Sequence, residues 1–209
     1  MKKLIYMMAF LALASQLTNC KKDDKDDDDD NSSTATVLCD GKGGSTWLRL
    51  DSTNSWTYDY SAAGINIQPV TLLAGTTTIE DGLTYRVVTD EDGGYMLFTD
   101  YYYREDATTH DIYRYYDLYD EEYLEIPGSP TLDQSWPTFI NYSRKVTGVD
   151  ASVSTGSCNY TGLLEITEFN GNMEAINIFY YKKGLGLVKL IRQYQGDEHV
   201  FVLKAVSLK

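Results

Sequence analysis

Across residues 37–209 no stretch repeats its apolar residues every three to four positions, as a helix face would. The chain instead breaks into runs of four to eight residues, β-branched, aromatic or alternating in polarity, divided by tight-turn signals. Eleven such runs predict strands: 46–50, 56–60, 83–88, 95–98, 111–115, 123–126, 143–147, 161–167, 176–181, 186–191 and 199–206. Asp81-Gly82, Asp92-Gly93-Gly94, Asn170-Gly171-Asn172 and Gln195-Gly196-Asp197 supply the positive φ angles of hairpins. Connections this short join antiparallel neighbours, because a parallel crossover needs a dozen residues or more.

The expected fold is therefore all-β, a single antiparallel meander of about eleven strands. So many strands in one twisted sheet curl or split. A curved half-barrel or open barrel is the first expectation, with a β-sandwich as the alternative. Two stretches read as loops, 62–78 and 125–141. In the second, Pro127-Gly128-Ser129-Pro130 and Trp136-Pro137 forbid a central strand. Composition agrees with β structure, since 18 Tyr, 3 Trp and 6 Phe accompany only 4 Pro. The net charge of -13 removes nucleic acids from the candidate partners.

Residues 1–19 read as a secretory signal: Met1-Lys2-Lys3, an apolar run too short to cross a bilayer, then Ser15-Gln16-Leu17-Thr18-Asn19 before Cys20. Residues 20–36 follow as a disordered tether, with Asp26 to Asp30 in succession and little apolar surface to bury. Residues 37–209 form the β domain. Setting aside the two Lys of the signal, and the three Lys and seven Asp between Lys21 and Asp30, leaves 13 basic and 24 acidic residues. The domain itself is thus acidic, at -11.

Leu17-Thr18-Asn19-Cys20 resembles the lipobox of bacterial lipoproteins, although Asn19 stands where Gly or Ala is usual. Lys22-Asp23-Asp24 resembles the signal that exports lipoproteins of the Bacteroidota to the outer face of the outer membrane. Near the C-terminus, Tyr180-Tyr181-Lys182-Lys183-Gly184-Leu185-Gly186-Leu187 is similar to a segment of uncharacterised Bacteroidota lipoproteins. Those proteins also carry an early Trp-x-Tyr strand, here Trp56-Thr57-Tyr58, and a mid-chain Trp before a loop, here Trp136. The resemblance implies lipidation of Cys20, a tethered β-rich envelope domain and no catalytic residues. It places the protein on the outer membrane, exposed at the cell surface, with a periplasm-facing arrangement as the alternative. With Cys20 acylated, Cys39 and Cys158 remain in an oxidising compartment and are expected to form a disulfide, two free thiols being the alternative.

Motifs for catalysis are missing. Gly184-Leu185-Gly186 precedes no helix and no Gly-Lys-Ser/Thr, so it reads as a tight connection and not a phosphate loop. His110 and His199 have no second ligand at metal spacing, and no Gly-x-Ser-x-Gly is present. Asp90-Glu91-Asp92-Gly93 lacks the later ligands of a calcium loop. Asp117, Asp120, Glu121 and Glu122 would bind Ca²⁺ only if gathered on one rim, and otherwise form a solvated surface. No cofactor, metal or catalytic residue is expected.

The unusual feature is nine tyrosines between Tyr95 and Tyr123, interleaved with Arg104 and Arg114. On strands, Tyr101 shares a face with Tyr103, and Tyr113 with Tyr115, while each arginine points the other way. These four tyrosines are the ligand-binding candidates, suited to stacking on a glycan or a protein. The competing reading is cross-strand aromatic pairing that only stabilises the sheet. A domain at -11 favours a neutral glycan or a basic protein over an anion. The expected function is a non-enzymatic, membrane-anchored protein with a binding or structural role. A polysaccharide hydrolase using paired carboxylates and a carrier of hydrophobic ligands on the concave face are the alternatives.

Overall fold

The computed structural model describes Cys39, residues 44–91 and residues 101–209. They belong to a compact unit, Ser33–Lys209; Met1–Ser32 lies outside the described residues. The predicted signal, Cys20, the tether and the predicted strand 95–98 with Tyr95 therefore lie outside them.

The described residues form strands and no helix. The first seven are β1 (Ser55–Ala62), β2 (Ile65–Asn66), β3 (Val70–Glu80), β4 (Leu83–Asp90), β5 (Tyr101–Glu105), β6 (Ile112–Tyr116) and β7 (Glu121–Ile126). The remaining six are β8 (Ser135–Pro137), β9 (Ser143–Ser154), β10 (Asn159–Phe169), β11 (Ala175–Lys182), β12 (Gly186–Tyr194) and β13 (Asp197–Ser207). Hairpin chemistry makes them antiparallel. Asp81 and Gly82 turn between β3 and β4 with φ of 49° and 77°, and Gln195 and Gly196 turn between β12 and β13 with 53° and 90°.

The sheet runs β7-β6-β5-β4-β3-β1-β13-β12-β11-β10-β9-β8, with β2 paired to β1 off this path. The first and last long strands thus pair with each other, from Ser55 opposite Ser207 to Ala62 opposite His199. The result is an up-and-down barrel, nearly closed, whose one unsealed seam lies between β7 and β8. Those two strands are consecutive in sequence, and the seam falls where prolines remove backbone donors: Pro127 and Pro130 between the strands, and Pro137 at the end of β8. Side chains stitch the seam in place of a ladder. Trp136 Nε1 donates to the Leu124 carbonyl at 2.9 Å, and Arg144 donates to the Glu125 carbonyl at 3.0 Å. The loop expected over 125–141 is interrupted by the end of β7 and by β8, while the expectation that no central strand lies there agrees with β8 as a three-residue edge.

Alternation along the strands separates inside from outside. On β1, Trp56, Tyr58 and Tyr60 are buried, whereas Asp59 is exposed. One inward row crosses the barrel as Val146, Ile166, Phe179, Leu190, Phe201 and Tyr60, each opposite the next. Tyr60 and Phe201 stack with ring centroids 4.5 Å apart.

Two expectations need correction. Residues 46–50 are not a strand. They run across the base, where the Gly184 N–H donates to the Thr46 carbonyl and the Arg86 side chain to the Leu50 carbonyl, so their alternation serves a plug that seats Trp47. Residues 62–78 are not a loop, since they hold β2 and most of β3. Val70, Leu72 and Ala74 alternate as a buried face, a pattern hidden in the sequence by Leu73 on the other side and by the run of threonines beyond the base.

The Gly184-Leu185-Gly186 segment closes that same base. Gly186 has φ of 107°, and a Cβ there would stand 3.1 Å from the Trp56 indole nitrogen, which donates to the Leu185 carbonyl at 2.7 Å. Cys39 and Cys158 are bonded to each other, with Cα atoms 5.2 Å apart. That link ties the chain ahead of β1 to the turn between β9 and β10.

Candidate functional site

A barrel interior is ordinarily apolar, so the row above the apolar one stands out. Reading the ladder from β9 to β13, Arg144 is opposite Glu168, Glu168 opposite Asn177, Asn177 opposite Arg192, and Arg192 opposite His199. Pairs at the same register share a face, so this is a polar belt on the inner wall. Glu125 of β7 and Arg114 of β6 continue it across the seam.

Arg144 anchors the belt and is 2% exposed. It binds Glu125 and Glu168, each at 2.8 Å, while Asn177 donates to Glu168 at 2.6 Å. Burial works against charge on Glu168, but Arg144 beside it outweighs that and holds its carboxyl below the usual range. The Arg144 guanidinium is likewise kept charged against its burial by Glu125 and Glu168. Arg114 is held less well. It lies 3.8 Å from Glu125, between the rings of Tyr101 and Tyr116 at 4.4 and 4.0 Å. Its Nε is buried with no acceptor, and so is Asn177 Oδ1 with no donor. Each orphan of this kind costs about 1–3 kcal/mol unless something else satisfies it.

These side chains border a cavity of about 350 Å³, within the roughly 300–1,000 Å³ common for small-molecule sites. Its lower wall is apolar and comes from Leu48, Leu50, Trp56, Leu72, Val88 and Leu187. Its upper wall carries the belt, and its rim carries Phe139, Tyr142, Gln193 and Tyr194. The described turns at that rim each expose a large apolar side chain: Ile65, Leu118, Ile140, Met173 and Tyr194. Ile79, Leu83, Leu132 and Val149 are exposed away from the rim.

The four candidate tyrosines divide between two faces. Tyr101 and Tyr103 face inward and line the cavity. Burial, and next Glu125, push the Tyr103 hydroxyl well above its ordinary range. Tyr113 and Tyr115 face outward. On the ladder Tyr103 is opposite Arg114, whereas Tyr102 is opposite Tyr115 and Arg104 opposite Tyr113, so strand alternation turns one pair away from the other. Each arginine does lie opposite the tyrosines of its own strand, as the spacing predicts. Outside, Arg104 binds Glu122 in a fork at 2.5 and 2.6 Å and stacks on Tyr113 at 4.3 Å. Burial, then the Glu122 hydrogen bond, push the Tyr85 hydroxyl up to about 12. Tyr115 donates to Asp120, and Tyr123 to Glu121.

Three of the four candidate calcium ligands, Asp120, Glu121 and Glu122, thus accept hydrogen bonds from neighbouring side chains. Among the described residues no group of three His, Cys, Asp or Glu side chains is placed to hold a metal. Sequence reasoning missed Arg114, Arg144, Glu125, Glu168, Asn177 and Arg192. The signal was there in part, as charged residues at inward register on otherwise apolar strands such as β10 and β12, but it requires the register to be read.

No protein-family model and no curated protein matches the chain. Among solved structures, it is similar to a protein of Bacteroides fragilis NCTC 9343, provisionally described as exported and as having a YmcC-like fold. The TM-score is 0.40 at 12% identity, over 75% of this chain and 96% of that one. It is also similar to a provisionally described lipoprotein of Parabacteroides distasonis ATCC 8503, with a TM-score of 0.36 at 10% identity, over 79% of this chain and 100% of that one. Both are proteins of Bacteroidales.

Proposed function

We propose that this protein is a cell-envelope lipoprotein that binds a small amphipathic molecule inside its barrel, without turning it over. The observation that carries the reading is a cavity that reaches from an apolar base, past a charged belt, to an open rim. Apolar walls with a few convergent polar groups are the usual composition of a small-molecule site. The concave-face carrier expected as an alternative accords with this geometry better than a tyrosine surface does, because Tyr101 and Tyr103 share the cavity wall while Tyr113 and Tyr115 do not.

Absence of catalysis is part of the proposal. Glu125 and Glu168 are the carboxylates that border the cavity, and both are held by Arg144. A carboxylate fixed in its ionised form is a poor proton donor, so Glu168 is unsuited to act as the general acid of glycoside hydrolysis. Acylation at Cys20, outer-membrane residence and surface exposure complete the proposal and rest on the sequence at residues 17–24.

Native mass spectrometry of the protein isolated from its own envelope tests the reading. A stoichiometric small-molecule adduct is expected on wild type and should be lost in Val88→Trp, which fills the cavity from a lining position. An adduct that persists in the folded Val88→Trp protein places binding elsewhere, and a wild-type protein with no adduct and no affinity for apolar probes refutes the cavity reading.

A further inference from the structure

The charges inside the cavity do not balance. Three guanidiniums, Arg114, Arg144 and Arg192, border it against two carboxylates, Glu125 and Glu168. Arg144 takes the near contacts of both carboxylates, which leaves Arg114 at 3.8 Å with an unpartnered buried Nε. Arg192 stacks on Tyr194 at 5.6 Å and makes no ion pair among the described residues. Asn177, its cross-strand neighbour, keeps an unused buried oxygen that can accept a hydrogen bond. Most of the apolar lining lies on the base side of this belt, and the rim, with Phe139, lies on the other.

Resting on the cavity reading above, we infer that the ligand is a single-chain amphiphile with an anionic head: its tail fills the base, and its head meets Arg192 and Arg114. One negative charge on the occupant brings the interior to neutrality and gives the Arg114 Nε its acceptor. A head that also carries a hydroxyl donates to Asn177 Oδ1, which suits a protonated phosphate monoester or a hydroxylated carboxylate. The net charge of the chain does not prevent entry. Exposed charges are screened beyond roughly 8 Å at physiological ionic strength, whereas unpaired cations in a low-dielectric pocket are screened much less. Carboxylate and phosphate heads share this chemistry, and the experiment separates them.

The test titrates dodecanoate, dodecyl phosphate and dodecanol, each below its micelle concentration, into the full chain carrying Cys20→Ala, so that no acyl group of its own competes. Calorimetry reads the affinities. At least one of the two anions should bind about tenfold or more tightly than dodecanol, the ratio expected of one charge-assisted contact; the tighter anion names the head. Arg192→Gln, at a half-buried position with no ion pair among the described residues, should weaken that anion severalfold, toward the affinity of dodecanol, while Arg114 keeps its share of the preference. Dodecanol binding as well as both anions overturns the anionic inference and leaves the cavity reading standing. An anion preference that survives intact in Arg192→Gln removes Arg192 from the head site and overturns the assignment. If none of the three binds and none displaces an apolar fluorescent probe, the cavity reading falls with it.

Discussion

Arg144 concentrates the energetic risk of the interior in one side chain. Two charged pairs buried together are worth little compared with an apolar core, but removing one partner leaves the other charge stranded. Arg144→Ala should therefore destabilise the domain by about 3–5 kcal/mol, read from urea denaturation, with Glu125 and Glu168 as the stranded charges. Glu168 gives the pH dependence. Its carboxyl is lowered in the folded state relative to 4.5, so the folded protein binds this proton less readily than the unfolded chain. The stabilisation is present above the unfolded value and is lost as pH falls through the lower folded one. Glu168→Gln should flatten the acid limb of a stability–pH profile. A limb of unchanged steepness would show that other carboxylates control it.

At the scale of elements, two glycines separate backbone freedom from space. Gly82 has φ of 77° and open surroundings, so Gly82→Ala should cost about 1 kcal/mol. Gly128, in the connection between β7 and β8, donates to Asp111 at 2.7 Å, and a Cβ there would stand 2.0 Å from the Thr109 carbonyl oxygen. Gly128→Ala must shift backbone and should lower the melting temperature by clearly more than Gly82→Ala. The disulfide acts over a longer range: Cys158→Ser should cost about 2–5 kcal/mol, measured against wild type under non-reducing conditions. Strands were legible wherever one face is apolar and the other polar, as in β1, β4 and β13. They were illegible where a strand serves two environments. The eleven residues of β3 begin inside the barrel and end exposed, and residues 46–50 alternate like a strand yet accept hydrogen bonds at the base through the Thr46 and Leu50 carbonyls. The tyrosines were legible as pairs on each strand. Their division between cavity and exterior depends on how β5 and β6 align, and no residue spacing within one strand carries that.

For the molecule as a whole, the seam is the one line around the barrel that no backbone ladder crosses. Hydrogen exchange should find the amides of β7 and β8 that face it among the fastest of the strand amides, and those of β10, β11 and β12, paired on both sides, among the slowest. Equal protection on both would mean that the Trp136 and Arg144 stitches close the barrel as firmly as a ladder. A cylinder hydrogen-bonded all the way round has its circumference fixed by its strand number and stagger, and cannot take a thicker occupant without breaking bonds. Here the circumference is cut once, and the cut is spanned by the side chains of Trp136 and Arg144. The barrel is in effect a split ring, closed at one line by the grip of a tryptophan and an arginine and everywhere else by backbone.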